Sequence, residues 1–381
     1  MVHYQSVPGV YREEVFPAPV PGLLTGVPVF LGLASRGAVN RPQRLTLWTQ
    51  FLSSFGDRPS DRYLFYAVRG FFSNGGNLCY VVRLNEDTAP EDSLAEGLEA
   101  LATLDAIDLI CVPDLMHLSQ SPEQVQRMQT AVLEYCQQAG DRFALLDALP
   151  NATVTTIQQQ QQALSSHPGA LNGALYFPWI QVEQSPAGMF VPPCGHIAGV
   201  YARRDREVGV YQTPANVLLE DVLDLSISVS DADQALLNPG DRNAGINCLR
   251  SLPGRGIRIW GGRTLSQDFN WRYINVRRLF LTVARWIDLT LADAAFETND
   301  FKLWVRIERE LTTFCESLFQ QGALKGSTTQ EAFYVKCDAE TNPPEVRAAG
   351  NVVTEIGLAP AIPNEFIVVR LIHGNAGVVL G

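Results

Sequence analysis

The chain has 381 residues, 46% of them hydrophobic and 18% charged, an ordinary globular composition with room for roughly two or three separately cored domains. Its 29 Lys and Arg against 40 Asp and Glu leave a formal net charge of -11, which argues against a nucleic-acid-binding surface. Apolar runs fall short of the roughly 20 residues needed to cross a bilayer, and the seven scattered cysteines form neither a Cys-x-x-Cys pair nor a Cys/His cluster, so transmembrane, disulfide-framework and zinc classes are set aside.

Residues 1–25 lack the basic and apolar regions of a secretory signal. Pro8, Pro17, Pro19 and Pro21 keep this stretch extended, and Val7–Val15 has the pattern of a single edge strand. Gly26–Leu33 (GVPVFLGL) reads as a buried strand ended by Arg36-Gly37. Helices are expected over Leu45–Phe55 and Arg62–Phe72, where Leu64, Val68 and Phe71 recur at helical spacing. A turn at Asn74–Asn77 precedes a strand over Leu78–Leu84. An acidic, Pro-containing linker, 85–93, follows.

From 94 to 180 helices alternate with strands: helix Ser93–Leu104, strand Ile107–Val112, helix Pro122–Gln138, strand Arg142–Asp147, helix Thr153–Ser165, strand Ala174–Trp179. That alternation predicts a parallel or mixed sheet covered on both faces. Asp114 and Asp147 fall near strand C-terminal ends, where α/β enzymes place ligand-binding groups; acids there also cap helices or meet solvent. Residues 190–252 read as turns and short strands. In PPCGHIAGVYARRD, Cys194 and His196 would share a strand face, and Arg203 to Glu207 would form a mixed-charge surface turn.

Pro253 to Phe280 is dense in Arg (255, 258, 263, 272, 277, 278) and in large aromatics (Trp260, Phe269, Trp271, Tyr273, Phe280). Gly254-Arg255-Gly256 precedes a strand and lacks a following Gly-Lys-Ser/Thr, so a phosphate loop finds no support. The favoured reading is a packed Arg–aromatic core with forked guanidinium bonds. Trp271–Ile274 is expected as a short strand and Asn275 as the N-cap of a helix. Val276, Leu279, Phe280, Val283, Trp286 and Leu291 make that helix amphipathic. A second helix carries Leu303, Trp304, Ile307, Leu311, Phe314 and Leu318, and Gly322 stops it. Strands over 256–265, 331–337, 351–357 and 365–372 would form the sheet these two helices cover. The small, apolar Gly374–Gly381 extends beyond it.

GIRIWGGRTL, WRYINVRRLF and AFETND together resemble the C-terminal core of contractile tail sheath proteins. SVPGVYREE, GVPVFLGLASRG, NGGNLCYVVRL, VPPCGHIAGVYARRD, GVYQTPAN, GALKGS, AFYVKCD and APAIPNEFIVVRL resemble the same family, in order, over most of the chain; 85–170 carries no family motif. Gly262 and Thr298 stand where the family commonly has Ala and Pro. The resemblance implies a mixed α/β and α+β protein: an extended arm, 1–25; an α/β outer domain, 26–190; a sheath core, 191–373, of a sheet covered by two helices; and a C-terminal arm, 374–381. It implies a structural subunit, without catalytic, cofactor or metal residues, that polymerises with itself in stacked rings around an inner tube and contracts to drive that tube through a target envelope. Val7, Pro8, Gly9, Val10 and Tyr11, with Gly374, Val378 and Val379, would be exchanged between subunits. Arg258, Trp260, Arg263, Trp271, Arg277 and Arg278 would carry the core motif. Lys302, Arg306 and Arg309 would meet an acidic tube. Baseplate and terminal cap proteins would be further partners, nucleic acid and membrane would not, and assembly would take place in a bacterial or phage-infected cytoplasm. The alternative kept open is a cytosolic α/β enzyme or ligand-binding protein using Asp114 or Asp147.

Overall fold

The computed structural model describes residues 23–57, 62–119, 121–240, 244–363, 371–374 and 377–380. Fourteen strands are described: β1 Pro28–Gly32, β2 Gln43–Leu45, β3 Cys79–Arg83, β4 Leu109–Cys111, β5 Phe143–Asp147, β6 Gly173–Phe177, β7 Ile180–Gln181, β8 Asp224–Leu225, β9 Ile246–Leu252, β10 Gly256–Trp260, β11 Phe333–Lys336, β12 Glu355–Leu358, β13 Leu371–Gly374 and β14 Gly377–Leu380. Ten helices matter below: α1 Trp48–Phe55, α2 Leu64–Ser73, α3 Pro90–Glu99, α4 Leu115–Leu118, α5 Pro122–Ala139, α6 Val154–Ser165, α7 Cys194–Glu207, α8 Asp231–Leu237, α9 Ile274–Thr290 and α10 Phe301–Gln320.

Eight strands form one sheet in the order β10-β9-β6-β5-β4-β1-β3-β2. The six inner strands run parallel, and β2 and β10 close the edges antiparallel. The four central strands β1, β4, β5 and β6 are buried on both faces, which is why their sequences are almost wholly apolar. Phe30, Val81, Cys111, Leu145 and Tyr176 face a core closed by α1, α2, α7 and part of α9. Leu31, Val82, Ile110, Leu146 and Leu175 face a second core closed by α3, α5 and α6. The mixed α/β architecture with a helix-covered central sheet is as expected. The sheet draws strands from both sides of residue 190.

Three local expectations are corrected. Cys194–Glu207 is a buried helix, not turns and strands. Gly195 and Gly199 look like turn residues, yet they let α7 press onto α2: a Cβ at Gly195 would lie 2.1 Å from the Ala67 carbonyl oxygen, and one at Gly199 2.5 Å from that of Phe71. Trp271–Ile274 is not a strand; a 3-10 turn over Phe269–Trp271 leads to a single Arg263–Tyr273 bridge, and α9 begins at Ile274 with Tyr273 as N-cap, so Asn275 sits inside the first turn. The four strands assigned to one C-terminal sheet also separate. β10 is an edge of the large sheet, β11 pairs only with β12, and β13 pairs with β14; residues 364–370 lie outside the described set.

The helix pair α9–α10 packs with β11 and β12 around two smaller cores. Trp286 of α9 stacks on Phe314 of α10 at 4.0 Å between ring centroids. α9 belongs to both parts of the molecule: Ile274 and Leu281 enter the main core, while Leu279 and Val283 enter the smaller one. Asp300 caps α10 through Lys302 N and Leu303 N, and Gly322 ends it at φ +80°.

Candidate functional site

Helix α9 supplies three polar side chains that tie Leu24–Val27 and Ala361 to the body of the molecule. Arg278, nearly fully buried, makes a forked pair with Asp205 at 2.9 and 2.6 Å and reaches Asp108 at 2.8 Å. Its guanidinium also lies 4.8 Å from the Tyr201 ring centroid. Burial alone would disfavour that cation, but Asp205 and Asp108 outweigh it and hold Arg278 firmly charged. Asp108 passes the connection on, accepting from Gly26 N at 3.0 Å and Val27 N at 2.6 Å. Two turns further along α9, Arg285 donates to the carbonyl oxygens of Ile107, at 3.2 Å, and Leu24. At the other end of α9, Asn275 Nδ2 donates to Tyr211 O at 2.8 Å and Ala361 O at 2.9 Å. Leu24, Gly26, Val27 and Ala361 are therefore fastened, directly or through Asp108, to one helix.

The other motif residues build the edge beside it. Arg277 lies 4.8 Å from the Trp271 ring and donates Nε to Asn172 Oδ1 at 2.8 Å. Arg263 is buried, takes Asn247 Oδ1 on its main-chain N and gives Nη1 to Pro239 O. Arg258 of β10 donates to Arg255 O and Asn216 O. Trp260 ends β10, half-buried against a cavity. Of the Arg residues read as a packed Arg–aromatic core, Arg277 and Arg278 lie over aromatic rings and Arg278 forks to a carboxylate, whereas Arg258 and Arg263 donate to main-chain carbonyls. Asp108, Asp205, Arg285 and the anchoring role of Asn275 were missed. The signals were an acid inside the apolar run Ile107–Val112 and an Arg seven residues, two helical turns, after Arg278.

Asp205 corrects the surface-turn reading of Arg203–Glu207, because its side chain is 2% exposed. Cys194 and His196, two residues apart on a helix, do not share a face, and burial pushes His196 down to about 3, so it stays neutral. Val7 to Tyr11 lie outside the described residues. Gly374, Val378 and Val379 sit in the β13–β14 pair, opposite Gly377, His373 and Ile372. On α10, Lys302 and Arg309 are exposed, with no ion pair among the described residues. Arg306 is engaged by Glu297, Asp293 and Glu310.

Asp114 and Asp147 are buried anchors. Asp114 accepts from Leu33 N, Tyr63 N and Leu64 N at 2.8, 2.5 and 3.1 Å, holding the start of α2. Asp147 accepts from Cys194 N at 2.9 Å, holding the start of α7. Burial raises the Asp147 carboxyl to about 7. A raised carboxyl binds its proton better in the folded state, so this group's contribution to stability is fullest below about 4 and declines as pH rises to about 7. Asp147→Asn is expected to remove that decline: the stability difference between variant and wild type should shift in the variant's favour from pH 4 to 8, measured by urea denaturation. A difference constant with pH would contradict it.

Among the described residues, no group of three or more His, Cys, Asp or Glu is placed to hold a metal ion, and no helix is long and apolar enough to cross a membrane. What the geometry defines is a helix-covered sheet whose α9 holds Leu24–Val27 and Ala361 by buried polar contacts.

Residues 91–265 match the phage tail sheath protein central domain, and 266–372 match the phage tail sheath C-terminal domain. The chain belongs to the phage tail sheath protein family and is a structural subunit of a contractile sheath, not an enzyme. It is 27% identical over 235 residues to a prophage major tail sheath protein of Pseudomonas aeruginosa, a match covering 58% of this chain and 55% of that relative. Among solved structures, it is similar to the PVC sheath complex of an extracellular contractile injection system in the contracted state (29% identity, 98% and 99% of the two chains, TM-score 0.78). It is also similar to the anti-feeding prophage helical sheath in the contracted state (30%, 97% and 100%, TM-score 0.76). A third similar chain comes from the anti-feeding prophage baseplate (29%, 96% and 99%, TM-score 0.75).

Proposed function

We propose that copies of this chain stack as rings into a helical cylinder around an inner tube and shorten to drive that tube outward. The observation carrying this reading is full-length similarity, near 30% identity, to sheath chains in the contracted state. Heterologous contacts propagate such a lattice instead of closing it. Residues 1–25 and 374–381 act as arms exchanged between neighbours by strand addition, while the body between them moves as a rigid unit. The stroke draws on conformational free energy held in the extended lattice, with no cofactor. A baseplate starts the lattice, a terminal cap ends it, and assembly takes place in the bacterial or phage-infected cytoplasm.

Lys302 and Arg309 are the cations of α10 left for an acidic tube surface; Arg306 is already matched by three carboxylates within the subunit. The test is negative-stain electron microscopy of the chain alone and with its tube protein. Hollow, ribbed cylinders are expected. Lys302→Glu with Arg309→Glu should still polymerise but lose tube-filled cylinders at least tenfold in count. Particles that stay small even with tube protein would overturn the assembly reading, and tube-filled cylinders at wild-type frequency would overturn the tube-facing assignment.

A further inference from the structure

A cavity of about 850 Å³ lies between the end of β10, helix α8, the 211–216 loop and Ala361–Pro363. Four polar side chains from three helices line it. Gln234 and Asn238 stand one turn apart at the end of α8, Asn275 is in the first turn of α9, and Arg204 is in the last turn of α7. Each carboxamide has its nitrogen committed to main-chain carbonyls. Gln234 Nε2 donates to Trp260 O at 3.4 Å, and Asn238 Nδ2 donates to Ile246 O. Asn275, 3% exposed, donates Nδ2 to Tyr211 O and Ala361 O at 2.8 and 2.9 Å. Those bonds fix which way each amide points, so what each has left is an oxygen that can only accept. All three oxygens are buried without a donor, and Arg204 Nε is buried without an acceptor, among the described residues. Buried polar atoms are ordinarily paired, so four unmet atoms around one cavity point to a ligand.

The charges narrow its chemistry. Arg204 has no ion pair among the described residues. The other charged groups of the lining are engaged: Arg263 gives Nη1 to Pro239 O, and Asp231 pairs with Arg250 at 2.6 Å. A simple cation such as a polyamine would satisfy the oxygens but face Arg204. A simple anion such as phosphate would satisfy Arg204 but bring no N–H to three acceptors. A molecule with N–H donors at one end and a carboxylate at the other meets both demands. Between the polar groups, Trp260, Ala235, Ile362 and Pro363 present apolar surface, and the volume is in the range of ordinary small-molecule sites. We propose that this cavity binds a small apolar zwitterion, a free amino acid or a peptide of up to about three residues. Its carboxylate pairs with Arg204, its ammonium and amide N–H groups donate to the carboxamide oxygens, and its side chain packs on Trp260 and Ile362.

The experiment is isothermal titration calorimetry on the full chain with L-leucine, leucyl-glycine and leucyl-glycyl-glycine. Two analogues of the tripeptide remove one charge each: its C-terminal amide lacks the carboxylate, and its N-acetyl form lacks the ammonium. On the wild type, amidation should weaken binding about tenfold or more; on Arg204→Gln, acid and amide should bind alike. Acetylation should likewise weaken binding on the wild type, and do so less on Gln234→Met. Because each comparison is made between two ligands on one protein, a variant that is partly unfolded still reports the difference. Affinity that rises along the series assigns the site to peptides, and affinity that stays level assigns it to free amino acids; either result upholds the site. No binding of any of the three at millimolar concentration would overturn the proposal. An amide that binds the wild type as well as the acid does would overturn it too.

Discussion

Replacing Arg278 with Met is expected to lower stability by about 3–5 kcal/mol, because two buried carboxylates lose their cation. Asp205 has its side chain 2% exposed and Asp108 7%, so neither regains water without opening the fold. Against a typical total of about 5–15 kcal/mol this is severe. The damage spreads along the chain: Asp108 is also the acceptor for Gly26 N and Val27 N, and α9 carries side chains of both cores. Arg278→Lys keeps a charge but cannot fork, and should fall between wild type and Met. Adding Asp205→Leu to Arg278→Met should recover part of the loss, since the double variant buries one fewer uncompensated charge. Urea denaturation measures all of these. A loss below about 1 kcal/mol for the single Met variant would mean that the node is not structural.

Deleting residues 1–14 is expected to leave a folded monomer that cannot form long sheaths. Among the described residues, the contacts that seat the body begin at Leu24 O, Gly26 N and Val27 N, beyond the deletion, and the unfolding midpoint is expected to move by no more than about 0.5 kcal/mol equivalent. Each lost inter-subunit main-chain bond is worth only about 1 kcal/mol net, but the loss repeats at every lattice contact. Sedimentation and electron microscopy read the outcome. Long cylinders from the truncated chain would rule out the arm model, whereas an unfolded product would mean that residues 1–14 belong to the body.

The two results probe different links in one mechanical path. In the arm-exchange reading proposed above, pull on residues 1–22 would be received at Leu24 and Gly26 and pass through Arg285, Asp108 and Arg278 into α9. Asn275, on the same helix, would in that reading receive pull on the segment beyond Ala361. A helix shared between two cores is a stiff coupler, because displacing it disturbs packing on both sides.

Much of this was legible without coordinates. Periodicity of two and of 3.6 residues reports which side of an element meets apolar neighbours, so the alternating strands and helices of 94–180 and the stripes of α9 and α10 were open to reading. Ordered family motifs carried the class of protein. Periodicity is silent about partners in space. Asp108 and Arg278 stand 170 residues apart, and only the folded chain brings them to 2.8 Å. Residues 190–252 read as turns and short strands; Cys194–Glu207 is instead a helix packed closely on α2, where only a missing side chain fits at Gly195 and Gly199. Asp114 and Asp147 stood at the strand ends that sequence assigned them, but which amides they face depended on how α2 and α7 fold back over the sheet. The sequence alone thus determined the elements, their apolar faces and the family. Tertiary structure alone decided the buried charge pairs and the fastening of Leu24–Val27 and Ala361 to α9, because those rest on distances that the order of residues does not contain.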